Sequence, residues 1–120
     1  MSNGQPSDAY RCGQLYAALA ALEKLSKGDR HSLGRLGARV EAAQQPRDRL
    51  TGHLKAVGEY VVDARKQGRG PAATAILRSL PDLLPDGREL PHKLNTAQQE
   101  EFCDGRHAQE KVFEHAEASR

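Results

Sequence analysis

Cys103 and His107 stand four residues apart in QQEEFCDGRHAQ, residues 98–109. On a helix that spacing puts a thiol and an imidazole on one face, where both could ligate a single metal ion. A structural zinc ion takes four ligands, and neither Cys12 nor His92 nor His115 supplies a second pair at matching spacing. No metal is expected, and Cys103 reads as a small apolar filler. Glu100, Glu101 and Asp104 flank the same cysteine. Paired carboxylates do acid–base work when a pocket drives their pKa values apart, and the sequence offers neither aromatic walls nor a nucleophile arrangement for that. Carboxylates in the first turns of a helix are stabilised by its dipole, which is the simpler reading. His31, His53, His92, His107 and His115 fit no metalloprotease or triad signature, and GRGP at 68–71 lacks the Lys-Ser/Thr that completes a phosphate loop. The chain is read as non-enzymatic, with no cofactor and no small-molecule substrate.

Cationic side chains offer a different chemistry. At about 100° per residue, Arg47, Lys55, Arg65 and Lys66 fall along one flank of a single helix. Arg35 and Arg39, four apart, share a face of the helix before it. A ribbon of this kind neutralises successive phosphates and binds nucleic acid without reading sequence. The competing reading is a solvated face paired with Glu59 or Asp63. Aromatic residues are only 4% of the chain, so base stacking is not the main mode, and Arg47 and Arg49 alone are too few to read base edges. Charge is segregated: 13 Lys/Arg face 7 Asp/Glu up to Arg78, whereas 5 face 9 from Ser79 onward. The basic part suits a polyanion and the acidic end suits protein partners.

The elements that must display these groups follow from apolar spacing. Ser7 can cap a first helix carrying Leu15, Leu19, Leu22 and Leu25, which ends near Gly28, before a turn over GDRH. Leu33, Leu36 and Val40 mark a short second helix ahead of Pro46. Leu50, Leu54, Val57 and Val61 step by four, three and four along a third, with Gly52 and Gly58 pointing to close packing or a bend. Pro71 opens a fourth helix with Ile76, Leu77 and Leu80 that stops at Pro81. Residues 81–95 read as a loop, and Thr96 with Gln99 has the form of a capping box for a last helix over 96–116 holding Phe102, Val112 and Phe113.

With 120 residues, 38% hydrophobic content and no Trp, the chain is expected to form one all-α domain, a compact bundle of four to five helices with a flexible N-terminus over 1–7. No apolar run approaches the roughly 20 residues of a membrane span, so a cytoplasmic protein with reduced Cys12 and Cys103 is expected.

Two stretches carry a family resemblance. AYRCGQLYAALAALEKLS, residues 9–26, and LNTAQQEEFCDGRHAQEKVF, residues 94–113, resemble the C-terminal region of the large subunit of type I-C CRISPR Cascade complexes. The opening pattern is met by Tyr10, Arg11, Gly13 and Leu15 with Leu22, Glu23 and Lys24, and the closing pattern by Gln99, Phe102, Gly105 and Gln109. The middle of the chain departs: Pro46 to Tyr60 follows the family loosely, and Arg106, His107 and Ala108 replace its Tyr-Tyr-His. That region is also made in the family as a separate small subunit by internal translation, and a chain of this length starting at Met1 matches that product.

The resemblance implies a non-catalytic helical subunit present in more than one copy, lining the complex in antiviral defence. Its partners would be the backbone and large subunits, a second copy of itself, the guide RNA, and the target and displaced DNA strands, held by phosphate contacts. Arg35, Arg39, Arg47, Lys55, Arg65 and Lys66 are the expected nucleic-acid contacts. Gln99, Phe102, Gly105 and Gln109, recurring at three or four residues, are the expected packing edge for a partner. The alternative is a helical protein-binding adaptor or phage-encoded inhibitor with no nucleic-acid contact.

Overall fold

The computed structural model describes residues 7–28, 32–35, 37–84 and 90–118, with side chains to residue 114. Its helices are α1 (Asp8–Lys27), α2 (Ala38–Gln44), α3 (Pro46–Lys55), α4 (Val57–Lys66), α5 (Gly70–Leu83) and α6 (Thr96–Ala118), and a 3₁₀ turn at Ser32–Gly34 precedes α2. The described residues contain no strand. The all-α bundle is as expected, with six helices rather than four to five.

The leucine spacing of α1 makes it the centre. Leu15, Leu19, Leu22 and Cys12 have no exposed surface, and Ala9, Ala17 and Ala18 are buried on its other sides. A helix apolar nearly all round has to be enclosed. Here α6, α4 and α5 pack along it, and α2 and α3 touch it as well. Ser7 Oγ accepts the Tyr10 N–H at 3.1 Å and also meets the Glu101 carboxylate, so Ser7 is a cap and not part of a loose tail. The rest of the expected flexible segment, 1–6, lies outside the described residues. At the far end Gly28 takes φ of 66°, a conformation that costs glycine nothing, and closes the helix on the Lys24 carbonyl.

Two glycines decide how α1 meets α6. A Cβ on Gly13 would lie 2.7 Å from the Phe102 carbonyl carbon and 2.9 Å from the Arg106 nitrogen, while one on Gly105 would lie 2.9 Å from the Tyr10 carbonyl carbon. The two helices therefore cross with backbone against backbone. Phe102, fully buried, fills the space beside the crossing and meets the Tyr16 ring at 5.8 Å between centroids.

The third helix is the largest departure from expectation. It divides at Ala56, which has φ −93° and ψ 0°, into α3 and α4. Gly52 and Gly58 flank the break, and a Cβ on either would meet nothing within 4 Å, so a bend rather than close packing explains them. The fourth helix runs through Pro81 to Leu83. Its last turn is held by burial of Leu80 and Leu83, and Leu77, whose carbonyl loses its donor, lies on the exposed side.

The second helix begins only at Ala38 and buries Ala38, Ala42 and Ala43; Val40 is 53% exposed, and Leu36 lies outside the described residues. Arg35 precedes this helix, so it and Arg39 do not share a helical face. The Asp29–His31 part of the expected turn is likewise outside the described residues. The expected loop 81–95 begins later than predicted, and 85–89 is outside the described residues. The cap of α6 falls one residue earlier than the Thr96–Gln99 expectation: Gln98 N–H donates to Asn95 Oδ1 at 2.8 Å and Asn95 N–H to Gln98 Oε1 at 2.9 Å. Val112 is 55% exposed and contributes nothing to the core, while Phe113 packs partly against it.

Candidate nucleic-acid interface

The break at Ala56 divides the expected ribbon of cations. Arg47 and Lys55 belong to α3, Arg65 and Lys66 to α4. Arg47 is half-buried and works as a clasp: its Nε donates to the Leu90 carbonyl at 2.9 Å and its backbone N–H to the Pro91 carbonyl at 3.1 Å. This ties the segment before α6 to the start of α3. Arg35 donates to Glu41 at 3.0 Å, with Arg49 3.9 Å from the same carboxylate. Arg39, Lys55, Arg65 and Lys66 are exposed.

The fold brings Arg65 and Lys66 to cations that sequence reasoning missed. The C-terminal ends of α1 and α4 meet at the start of α5, held by Gln67 Nε2 donating to the Ser26 carbonyl and Arg69 Nη1 donating to the Leu25 carbonyl at 3.1 Å. A groove of about 560 Å³ at this corner is lined by Ser26, Lys27, Asp63, Lys66 and Gln67. Lys27 and Lys66 line it, and Lys24, Arg65 and Arg69, a few residues from them in the chain, are exposed as well. Among the described residues none of the five forms an ion pair. Asp63 is engaged by Ser26 Oγ at 3.2 Å. Cations in the last turn of a helix complement its dipole, and two such ends side by side double the local density. In sequence, the signal was the repeated Lys/Arg just before Gly28 and Gly68; what it lacked was the pairing of the two ends.

A buried polar cluster lies elsewhere. Glu23, 2% exposed, accepts the Leu33 N–H at 2.9 Å and the Ser32 hydroxyl at 2.8 Å. Tyr60 Oη stands 3.4 Å from this carboxylate and 2.8 Å from His53 Nδ1. Burial alone would raise the Glu23 pKa, but the Leu33 and Ser32 hydrogen bonds and nearby His53 outweigh it and hold the carboxyl below its ordinary value. Burial lowers the His53 pKa, with Glu23 opposing, and pushes the Tyr60 hydroxyl up to about 12. These groups join α1, the 3₁₀ turn, α3 and α4. Nothing in their sequence spacing announced the cluster, because its members come from four elements.

The QQEEFCDGRHAQ stretch proves to be internal architecture. Phe102 and Gly105 face α1 of the same chain, Gln109 is 6% exposed, and Gln99 Nε2 donates to the Leu94 carbonyl at 3.0 Å. Phe102 and Gly105 of the expected partner edge are therefore taken by the chain's own first helix. Arg106, 7% exposed, donates to Glu110 at 2.8 and 3.0 Å and lies 2.7 Å from His107 Nε2, which has to accept because a guanidinium only donates. Cys103 is half-buried rather than buried, and the described residues hold no group of three metal-ligating side chains. Cys12 is the enclosed thiol, its pKa pushed up to about 12 by burial and then by Asp8. No helix is long and apolar enough to cross a membrane.

No family model matches the chain, and no curated protein or solved structure is significantly similar to it.

Proposed function

We propose that the chain is a non-catalytic small subunit of a type I CRISPR Cascade complex, supporting RNA-guided antiviral defence by holding target and displaced DNA through phosphate contacts. The observation that carries this reading is the corner of Lys24, Lys27, Arg65, Lys66 and Arg69, five exposed cations without acidic partners among the described residues. Such a corner suits a sugar–phosphate chain and offers nothing with which to distinguish bases, as expected where base pairing with a guide reads the sequence. The interlocked Gly13 and Gly105 support the reading from another side, since the two stretches that resemble the family form one helix crossing. Of the cations expected from sequence, Arg65 and Lys66 remain contacts; Arg47 and Arg35 serve the fold.

Binding of a fluorescent dT₃₀ strand at increasing salt tests the proposal. Neutralising about five phosphates gives a slope of log K against log salt near −3.5, about a hundredfold loss between 50 and 200 mM. Reversing Lys24, Lys27, Arg65 and Lys66 to Glu, with Arg69 kept for its Leu25 contact, should abolish binding while the helical circular dichroism stays. Retained affinity in that variant would remove the corner as the contact. Absence of any binding by the unmodified chain, alone or in its assembly, would favour the adaptor reading.

A further inference from the structure

The α3–α4 break has the marks of a joint between two halves of one helix. The apolar stripe of Leu50, Leu54, Val57 and Val61 keeps helical register across it. Ala56 is a poor stop: neither side has a side-chain cap, and the Ala56 N–H still donates to the Gly52 carbonyl at 3.1 Å while shared with that of His53 at 3.1 Å. The Tyr60 N–H returns to the Ala56 carbonyl at 3.1 Å. One residue outside the helical well therefore makes the entire break, and straightening it needs changes of about 30° in φ and 40° in ψ at Ala56. Gly52 stands one turn before it and Gly58 two residues after it, both with φ in the ordinary range and open space where a Cβ would go. Nothing in the packing requires glycine there, and both make bending easier.

The bent form also has a fastening. His53 belongs to the last turn of α3 and Tyr60 to the first turn of α4, and their side chains meet at 2.8 Å across the break. Two residues seven apart share one helical face about 10.5 Å apart along the axis, so this contact spans the break and ties its two sides together. Glu23 and the hydroxyl of Tyr60, 3.4 Å apart, anchor the pair to α1.

We propose that the break at Ala56 is a conformational joint, bent and latched by His53–Tyr60–Glu23 in the free chain and straightened when a polyanion is bound. Straightening would bring Lys55, Arg65 and Lys66 onto the single flank that their spacing describes, joining α3 to the cationic corner while Arg47 stays clasped to the Leu90 carbonyl. The trigger rests on the phosphate-contact reading given above; the joint itself does not.

Spin labels at Asp48→Cys and Val62→Cys, in a Cys103→Ser background, report the angle, because Cys12 is fully buried. Fourteen residues of continuous helix separate the two Cα atoms by about 21 Å. Three arms are measured: the unmodified joint, Gly52→Ala with Gly58→Ala, and Tyr60→Phe, each with and without heparin or dT₃₀. The alanine pair and the latch variant should each move the distance distribution toward the straight value without ligand, and should raise dT₃₀ affinity about threefold. Polyanion should complete the shift in the unmodified chain. A distribution that stays fixed in both variants and under saturating polyanion overturns the joint. If no polyanion binds at all, the phosphate reading falls, and the variant arms alone decide the joint: a shift upholds it and a fixed distribution ends it.

Discussion

Replacing Gly105 by Ala adds one methyl group at the α1–α6 crossing and, like the same change at Gly13, should cost more stability than an alanine at any other described glycine. The new Cβ would stand 2.9 Å from the Tyr10 carbonyl carbon and 3.2 Å from its Cα, atoms of a helix backbone that cannot rotate away as a side chain would. Relief requires α1 and α6 to separate along the longest contact in the molecule, loosening Phe102 and Tyr16 on either side. Overpacking of this kind costs about 1–3 kcal/mol, and a backbone obstacle puts it toward the upper end. Alanine recovers up to about 1 kcal/mol of helix propensity, leaving a net loss near 2 kcal/mol. For a chain of this size that is a fall of about 7 °C in Tm. Gly58→Ala is the internal control, because its Cβ meets nothing within 4 Å, and it should leave Tm unchanged or raise it by a few degrees. The assay is thermal unfolding followed by circular dichroism at 222 nm. Equal Tm values for the two variants would refute the backbone crossing and with it the account of both family-like stretches.

Phe102→Ala removes a fully buried ring and should destabilise by about 3–5 kcal/mol in a chemical denaturation series, enough to leave a marginal domain partly unfolded. Asn95→Ala breaks the reciprocal cap of α6 and should cost about 1 kcal/mol, whereas Thr96→Ala, at the cap position expected from sequence, should cost little. The pH dependence has two stages of the same sign. His53 is held below its ordinary 6.5, so the unfolded chain takes up its proton first and stability is lost as pH falls from 6.5 through the lowered value. Glu23 is held below 4.5, so its contribution, present above 4.5, is lost as pH falls further through its folded value. Denaturation midpoints measured from pH 8 to 3 should show both stages, and His53→Gln should erase the upper one. Arg47→Ala should lower stability through the lost Leu90 contact while leaving the salt slope of dT₃₀ binding to the unmodified joint nearly unchanged.

The helical class and most element positions were legible because they depend on local spacing. Leucines at three and four residues, Ser7 before α1, Gly28 after it and Pro71 at the start of α5 act through neighbours in the chain. Errors came where two local signals competed. At Pro81 a helix-breaking residue met Leu80 and Leu83, and core burial carried the helix two residues further. Asn95 and Thr96 both suit an N-cap, and only the observed hydrogen bonds choose between them.

Groups on different elements obeyed another logic. The recurrence of Gln99, Phe102, Gly105 and Gln109 could not name what packs against them, and for Phe102 and Gly105 the neighbour is α1 of the same chain. The Arg47–Lys66 ribbon assumed one straight helix, an assumption that one residue at ψ 0° overturns. By itself the sequence determined that this chain is helical, where most of its helices begin and end, and which charges it owns, since propensity, capping and net charge are carried by residues within a few positions of one another. Only the tertiary structure decided that Lys24 and Lys27 join Arg65, Lys66 and Arg69, and that Glu23 meets Tyr60 and His53, because the distance between residues tens of positions apart is fixed by how whole helices pack.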